Sequence, residues 1–154
     1  MKFKILTSLL ILLPLVIGCN NQGLSGLYKV KGKVTLQGQP IGNVSISLKP
    51  IENDPEKRPA SGTSREDGTF VITTLKPGDG AYPAKYKVLL GRVEIKSIGG
   101  NTIGRDTIPK KYRDPNTTPI EYEVKAGKNP DLIIDIDEPL EKPVWPNAGK
   151  NDYK

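Results

Sequence analysis

The chain has 154 residues, a formal net charge of +6, no histidine and a single cysteine, Cys19. Those counts exclude an internal disulfide, a metal centre built on His or paired Cys and a histidine general base, and the length is that of one domain. Sixteen glycines, fourteen prolines and only 6% aromatic residues point to short strands joined by turns. No stretch after residue 20 keeps apolar residues at i, i+3, i+4 and i+7 over three turns, as an amphipathic helix would.

In chain order, Lys2 and Lys4 come first. Residues 5–17 follow, a run of 13 that is apolar apart from Thr7 and Ser8. A membrane-spanning helix needs about 20 such residues, whereas the apolar part of an export signal needs about 7–15, so residues 1–18 read as a cleaved signal. Val16-Ile17-Gly18-Cys19 resembles the bacterial lipobox: aliphatic, aliphatic or small, small, cysteine. The resemblance implies cleavage between Gly18 and Cys19, a diacylglyceryl thioether on the sulfur and an acyl chain such as palmitate on the new amine. Two or more chains anchor a protein stably, where one holds it marginally. Residues 19–27, rich in Asn, Gly and Ser, read as a lipidated flexible tether. Lys2 and Lys4 leave with the signal and no acid does, so the mature charge falls from +6 to +4. That mild charge suits an anionic envelope surface and does not call for nucleic acid.

Residues 28–137 read as the folded domain. Tyr28, Val30, Gly32, Val34 and Leu36 alternate with Lys29, Lys31, Lys33 and Thr35, the period of two of a half-buried strand. After a turn at 37–40, Val44, Ile46 and Leu48 alternate with polar residues, and the closeness of these two strands suggests a hairpin-like start. Residues 50–60, charged and with three prolines, read as an exposed loop. A short strand at 61–64 leads to Arg65-Glu66-Asp67-Gly68. Asp-Gly there is a tight-turn signal. Residues 69–74 follow as a strand with Phe70 and Ile72 inward. Pro77-Gly78-Asp79-Gly80 turns into a buried strand at 86–90 that extends toward Val93. Residues 96–119, polar and carrying Gly99-Gly100 and three prolines, read as one long loop, which at over about 15 residues is functional or mobile. Strands at 120–124 and 132–136 flank a turn at 126–129. Residues 138–154 are charged and Pro-rich and read as a disordered tail. Six or seven strands, spaced by turns, are the pattern of a β-sandwich.

The quoted stretches VKGKVTLQGQPIGNVSISLKP, ASGTSREDGTFVITT and PGDGAYPAKYKVLL resemble the carboxypeptidase regulatory-like (transthyretin-like) domain, in particular single-domain bacterial lipoproteins of that kind. IPKKYRDPNTTPIEYEV resembles a further recurrent stretch of these lipoproteins. Ala84 stands where glycine is common. The resemblance spans residues 28–137 and implies an all-β, seven-stranded prealbumin-like sandwich with no known catalytic residues and no cofactor. Gly32, Gly38 and Gly68 read as bend or positive-φ positions, and Phe70 and Tyr86 as plugs between the sheets.

Four groups of side chains are candidate sites. Asp54, Glu56, Glu66 and Asp67 could supply oxygens to calcium but lie in two loops with no EF-hand spacing. Asp135, Asp137 and Glu138 stand at a strand end, as a charged outward face or a similar oxygen cluster. Lys110-Lys111-Tyr112-Arg113 joins three cations to an aromatic ring and could grip phosphate or the carboxylates of an acidic glycan or peptidoglycan. Alternatively it is a solvated loop with Tyr112 packed on the sandwich. Trp145, between Pro143 and Pro146, could stack on a sugar or a partner, or fold onto an apolar patch. Some transthyretin-like folds hydrolyse 5-hydroxyisourate with histidines and a C-terminal Tyr-Arg-Gly-Ser. Here there is no histidine, and Tyr112-Arg113 is internal and followed by Asp114-Pro115.

The expected function is a non-enzymatic structural or protein-interaction module, lipid-anchored in the cell envelope with the outer membrane favoured. It would display residues 96–119 and 50–60 away from the membrane to envelope proteins. The alternative is a glycan- or peptidoglycan-binding module using Lys110, Lys111, Tyr112 and Trp145. A hydrolase is the third reading.

Overall fold

The computed structural model describes residues 26–52, 54 and 57–146. The expected signal cleavage and lipidation at Gly18 and Cys19 lie outside the described residues. The fold is all-β, with ten strands among the described residues: β1 Lys31–Leu36, β2 Gln39–Pro40, β3 Ser45–Pro50, β4 Ala60–Thr63, β5 Thr69–Val71, β6 Ala84–Gly91, β7 Val93–Ile98, β8 Asn101–Asp106, β9 Glu121–Val124 and β10 Leu132–Ile136.

Two four-stranded sheets enclose the core. In the first, β1 pairs with β10 in parallel, and on its other side with β5 and β2 antiparallel. The second runs β4-β3-β6-β9, antiparallel throughout. The alternation in the sequence is what closes the sandwich. Val34, Leu132, Ile134, Ile136 and Phe70 face inward from the first sheet, and Ile46, Leu48, Tyr86, Val88 and Leu90 from the second, all in one buried cluster. Tyr86 is fully buried, and its hydroxyl donates to the Tyr82 carbonyl at 2.8 Å, so the polar end of the ring is satisfied.

Several expectations are corrected. β1 and β3 do not form a hairpin with each other. The Gln37-Gly38 turn, with φ of 50° and 79°, returns β1 only into the two-residue β2, and β3 crosses to the other sheet. Gly32 is needed for space and not for positive φ. A Cβ there would lie 2.0 Å from the Leu132 carbonyl oxygen and 2.6 Å from the Phe70 ring. The count of ten strands exceeds seven because of β2 and of a hairpin, β7–β8, inside what reads as a long loop.

Strand direction gives the sandwich two distinct ends. Chain entry at Tyr28, bridged to Ala81, lies with the start of β6, the end of β9 and the end of β3, where Pro50 pairs with Tyr86 and Val124 with Ala84. The described residues of the 50–60 segment therefore lie at the entry end, apart from the β7–β8 hairpin, which overlaps the 96–119 stretch expected to be displayed with them. The opposite end carries the 64–68 turn, the β7–β8 hairpin and the C-terminal end of β10.

Candidate functional site

The segment after β8 is built as a latch. Lys110–Tyr112 forms one 3₁₀ turn, held by a Tyr112 N–H bond to the Pro109 carbonyl at 3.0 Å. Ile108 and Tyr112 are buried, the latter at 3% exposure. The turn is an apolar plug under a charged surface. Tyr112 Oη donates to Asp137 Oδ1 at 2.5 Å. Lys111 Nζ lies 3.0 Å from Asp137 Oδ1, 2.7 Å from Glu138 Oε1 and 4.8 Å from the Tyr112 ring centroid. Arg113 Nη2 reaches Glu141 Oε2 at 2.7 Å, while Glu141 Oε1 accepts the Lys110 backbone N–H at 3.0 Å. The Glu141 N–H donates to the Thr107 carbonyl at 2.7 Å.

Three of the four residues thus spend their chemistry on acids of this same chain. The Tyr112 ring is buried against the core instead of offering a stacking face. Lys111 and Arg113 are matched to Asp137, Glu138 and Glu141. Lys110 is exposed and holds its place through its backbone. The electrostatics follow. The Tyr112 hydroxyl, then Lys111, hold the Asp137 carboxyl below its ordinary range. Glu138, then Asp137, push the Lys111 ammonium up. Burial, then donation to Asp137, raises the Tyr112 phenol.

Of the tail expected to be disordered, 138–154, the described residues 138–146 make the same kind of contacts, and 147–154 lie outside the described residues. Leu140 packs on the core, Glu141 bridges Thr107 and Arg113, and Arg105 Nε donates to the Val144 carbonyl at 3.4 Å. Trp145 lies with Lys96 Nζ 5.8 Å from its ring centroid, so residues 138–146 run back along the hairpin. Trp145 is brought near Lys96 of β7, not to Lys110–Arg113.

The β7–β8 hairpin is the other prominent feature. Gly99 and Gly100, with φ of 59° and 83°, make the two-residue turn that needs positive φ at both positions. The register runs from Val93 opposite Asp106 to Ile98 opposite Asn101. Glu94, Lys96, Ile98, Ile103 and Arg105 share the face that the tail follows. The other face exposes Val93 and Ile95, at 59% and 71%. Gly104 stands opposite Ile95, and a Cβ there would meet the Val93 side chain at 2.8 Å. Both outer edges of this two-stranded sheet lack a strand partner among the described residues. Asp106 ties its base to the sandwich by accepting the Arg92 and Ile108 N–H groups at 3.2 and 2.9 Å.

The acids considered for calcium are not brought together. Asp54 lies at the entry end, 3.5 Å from Lys57. Glu66 and Asp67 lie at the opposite end, Glu66 accepting from Asn43 and Asp67 from the Thr69 hydroxyl and N–H. Glu56 is outside the described residues. Asp135 accepts from Thr35 and the Gly38 N–H, apart from Asp137 and Glu138. Sequence reasoning missed Glu141 and the hairpin. Gly99-Gly100 between two alternating runs is the hairpin signal; Glu141 carries no local signal, because its partners are about thirty residues away in sequence.

No family model, curated protein or solved structure matches the chain. The likeness to carboxypeptidase regulatory-like domains therefore rests on the quoted motifs of residues 28–137. Among the described residues no helix is long and apolar enough to cross a membrane.

Proposed function

We propose that this chain is a lipid-anchored display module of the cell envelope, held at a membrane through Cys19 and acting without catalysis by presenting the β7–β8 hairpin to an envelope protein. One observation carries the reading: the chain enters the sandwich at one end, and the hairpin leaves it at the other, with Val93 and Ile95 exposed and, among the described residues, strand edges unpaired on both sides. An open edge beside an exposed apolar face is what strand addition by a partner uses. The signal-like residues 1–18 and the lipobox-like Val16-Ile17-Gly18-Cys19 support the anchor, and the outer membrane is the favoured location. The geometry gives the glycan reading little support at Lys110–Arg113, since the ring is buried and two of the cations are matched internally.

The test is site-specific photo-crosslinking in intact cells. A crosslinker at Ile95 is expected to trap a discrete partner, and one at Ile133, equally exposed on the first sheet, is expected not to. Cys19→Ser is expected to abolish palmitate labelling and the adduct together. Identical adducts from both positions, or none from Ile95, would overturn the display role.

A further inference from the structure

The two ends of the sandwich differ in charge. At the entry end, segments 26–31, 50–60, 72–85 and 123–131 carry eight Lys and Arg against five Asp and Glu, or six with Glu56. At the hairpin end, segments 37–44, 64–68, 91–114 and 136–146 carry eight against eight.

The entry-end acids are already engaged. Glu52 and Asp54 meet Lys57, Asp131 meets Lys31, and Glu123 meets Lys125. Asp79 accepts the N–H groups of Thr74, Leu75 and Lys76. Lys29, Lys76 and Lys128 are exposed and have no carboxylate partner among the described residues. At the same end Leu75, next to Lys76, and Ile51, just past the end of β3, stand 44% and 47% exposed. Lys29 and Lys128 also line a cleft of about 620 Å³ with Leu27 and Tyr28.

We propose that this entry end docks on the headgroups of an anionic phospholipid bilayer. Unmatched lysines beside exposed aliphatic side chains suit an anionic interface, where ammonium groups meet phosphates and apolar groups enter the headgroup boundary. The other end is balanced and has no such cationic excess, so the charge difference between the ends sets an orientation with the hairpin outward. The proposal rests on the anchoring of Cys19 proposed above. Seven residue steps from Cys19 to Gly26 span at most about 25 Å, which keeps the entry end within reach of the headgroups.

The test is amide hydrogen exchange of the mature protein on vesicles of phosphatidylcholine alone or of phosphatidylcholine mixed with phosphatidylglycerol, whose anionic headgroups supply the attraction, with the mass at Cys19 read from the same sample. Protection of residues 27–31, 74–79 and 125–129 is expected on the anionic vesicles only. It should be lost in high salt and fall at least about threefold (roughly half a decade of binding) in the triple variant Lys29→Glu, Lys76→Glu, Lys128→Glu. Unchanged exchange in β6 would show that the variant is folded. Equal exchange on both vesicles, or protection at β7–β8 instead, would overturn the docking even if Cys19 carries lipid. A bare Cys19 with anionic-dependent protection would remove the anchor and leave the docking standing.

Discussion

Residues 107–113 and the β7–β8 hairpin are neighbours in sequence and opposites in physics. Both are polar, and both belong to the excursion between β6 and β9. The latch buries Ile108 and Tyr112 and matches Lys111 and Arg113 to acids from beyond β10. The hairpin buries almost nothing and leaves Val93 and Ile95 in water. The difference teaches that a cluster of cations and an aromatic ring is not a binding surface once the fold supplies its counter-charges. An unremarkable polar stretch becomes the accessible surface when no layer covers it.

The sharpest way to break this contrast is Tyr112→Ala. Removing a buried ring from the core should cost about 3 kcal/mol or more of sandwich stability, read from urea unfolding. A loss under about 1 kcal/mol would make the latch peripheral.

The next effect is local. Gly100 sits at φ 83°, where a β-branched side chain is strained by about 1–2 kcal/mol. Gly100→Val should speed amide exchange through β7 and β8 while the exchange of β6 holds. If β6 exchange rises equally, the hairpin is part of the cooperative core.

Tyr112→Phe keeps the plug and removes the hydroxyl, for about 1 kcal/mol, and it should also flatten the pH profile. The folded Asp137 carboxyl lies below its ordinary 3.8, so its contribution is complete above about pH 4 and is lost as pH falls through the lowered value. Tyr112 and Lys111 are raised above their ordinary 10.0 and 10.5, so theirs are complete below those values and lost as pH rises through the raised ones. Stability of the native chain should therefore fall on both sides of a plateau between about pH 4 and 10. Removing the Asp137–Tyr112 bond should shrink the acid slope most. An unchanged slope would mean the latch charges do not bear on folding.

The smallest effect expected is that of Ile95→Ala, under about 0.5 kcal/mol by the same urea measurement, because a side chain 71% exposed has little burial to lose. A larger loss would show that the hairpin packs on something within the chain.

Much of the sandwich is legible in the sequence. The alternation at Val30–Val34, Val44–Leu48 and Leu132–Ile136 names the inward residues, since period two on a pleated strand places one set in the core. Asp67-Gly68 names its turn. Pairing is not legible: a strand's pattern states which face is buried but not which neighbour completes its ladder. That is why β1 and β3 read as a hairpin, although β1 pairs in parallel with β10, a hundred residues away.

The sequence by itself determined the class of the fold, the inward face of its core strands and the turns that punctuate them, because these depend on local periodicity and backbone preference. Tertiary structure alone decided that Lys111 and Arg113 are neutralised by residues 137–141, that the 50–60 segment stands with the chain entry, and that the hairpin stands clear at the other end. Each is a matter of long-range juxtaposition. Charge matching and exposure are properties of what lies across a gap in space, and no spacing along the chain encodes them.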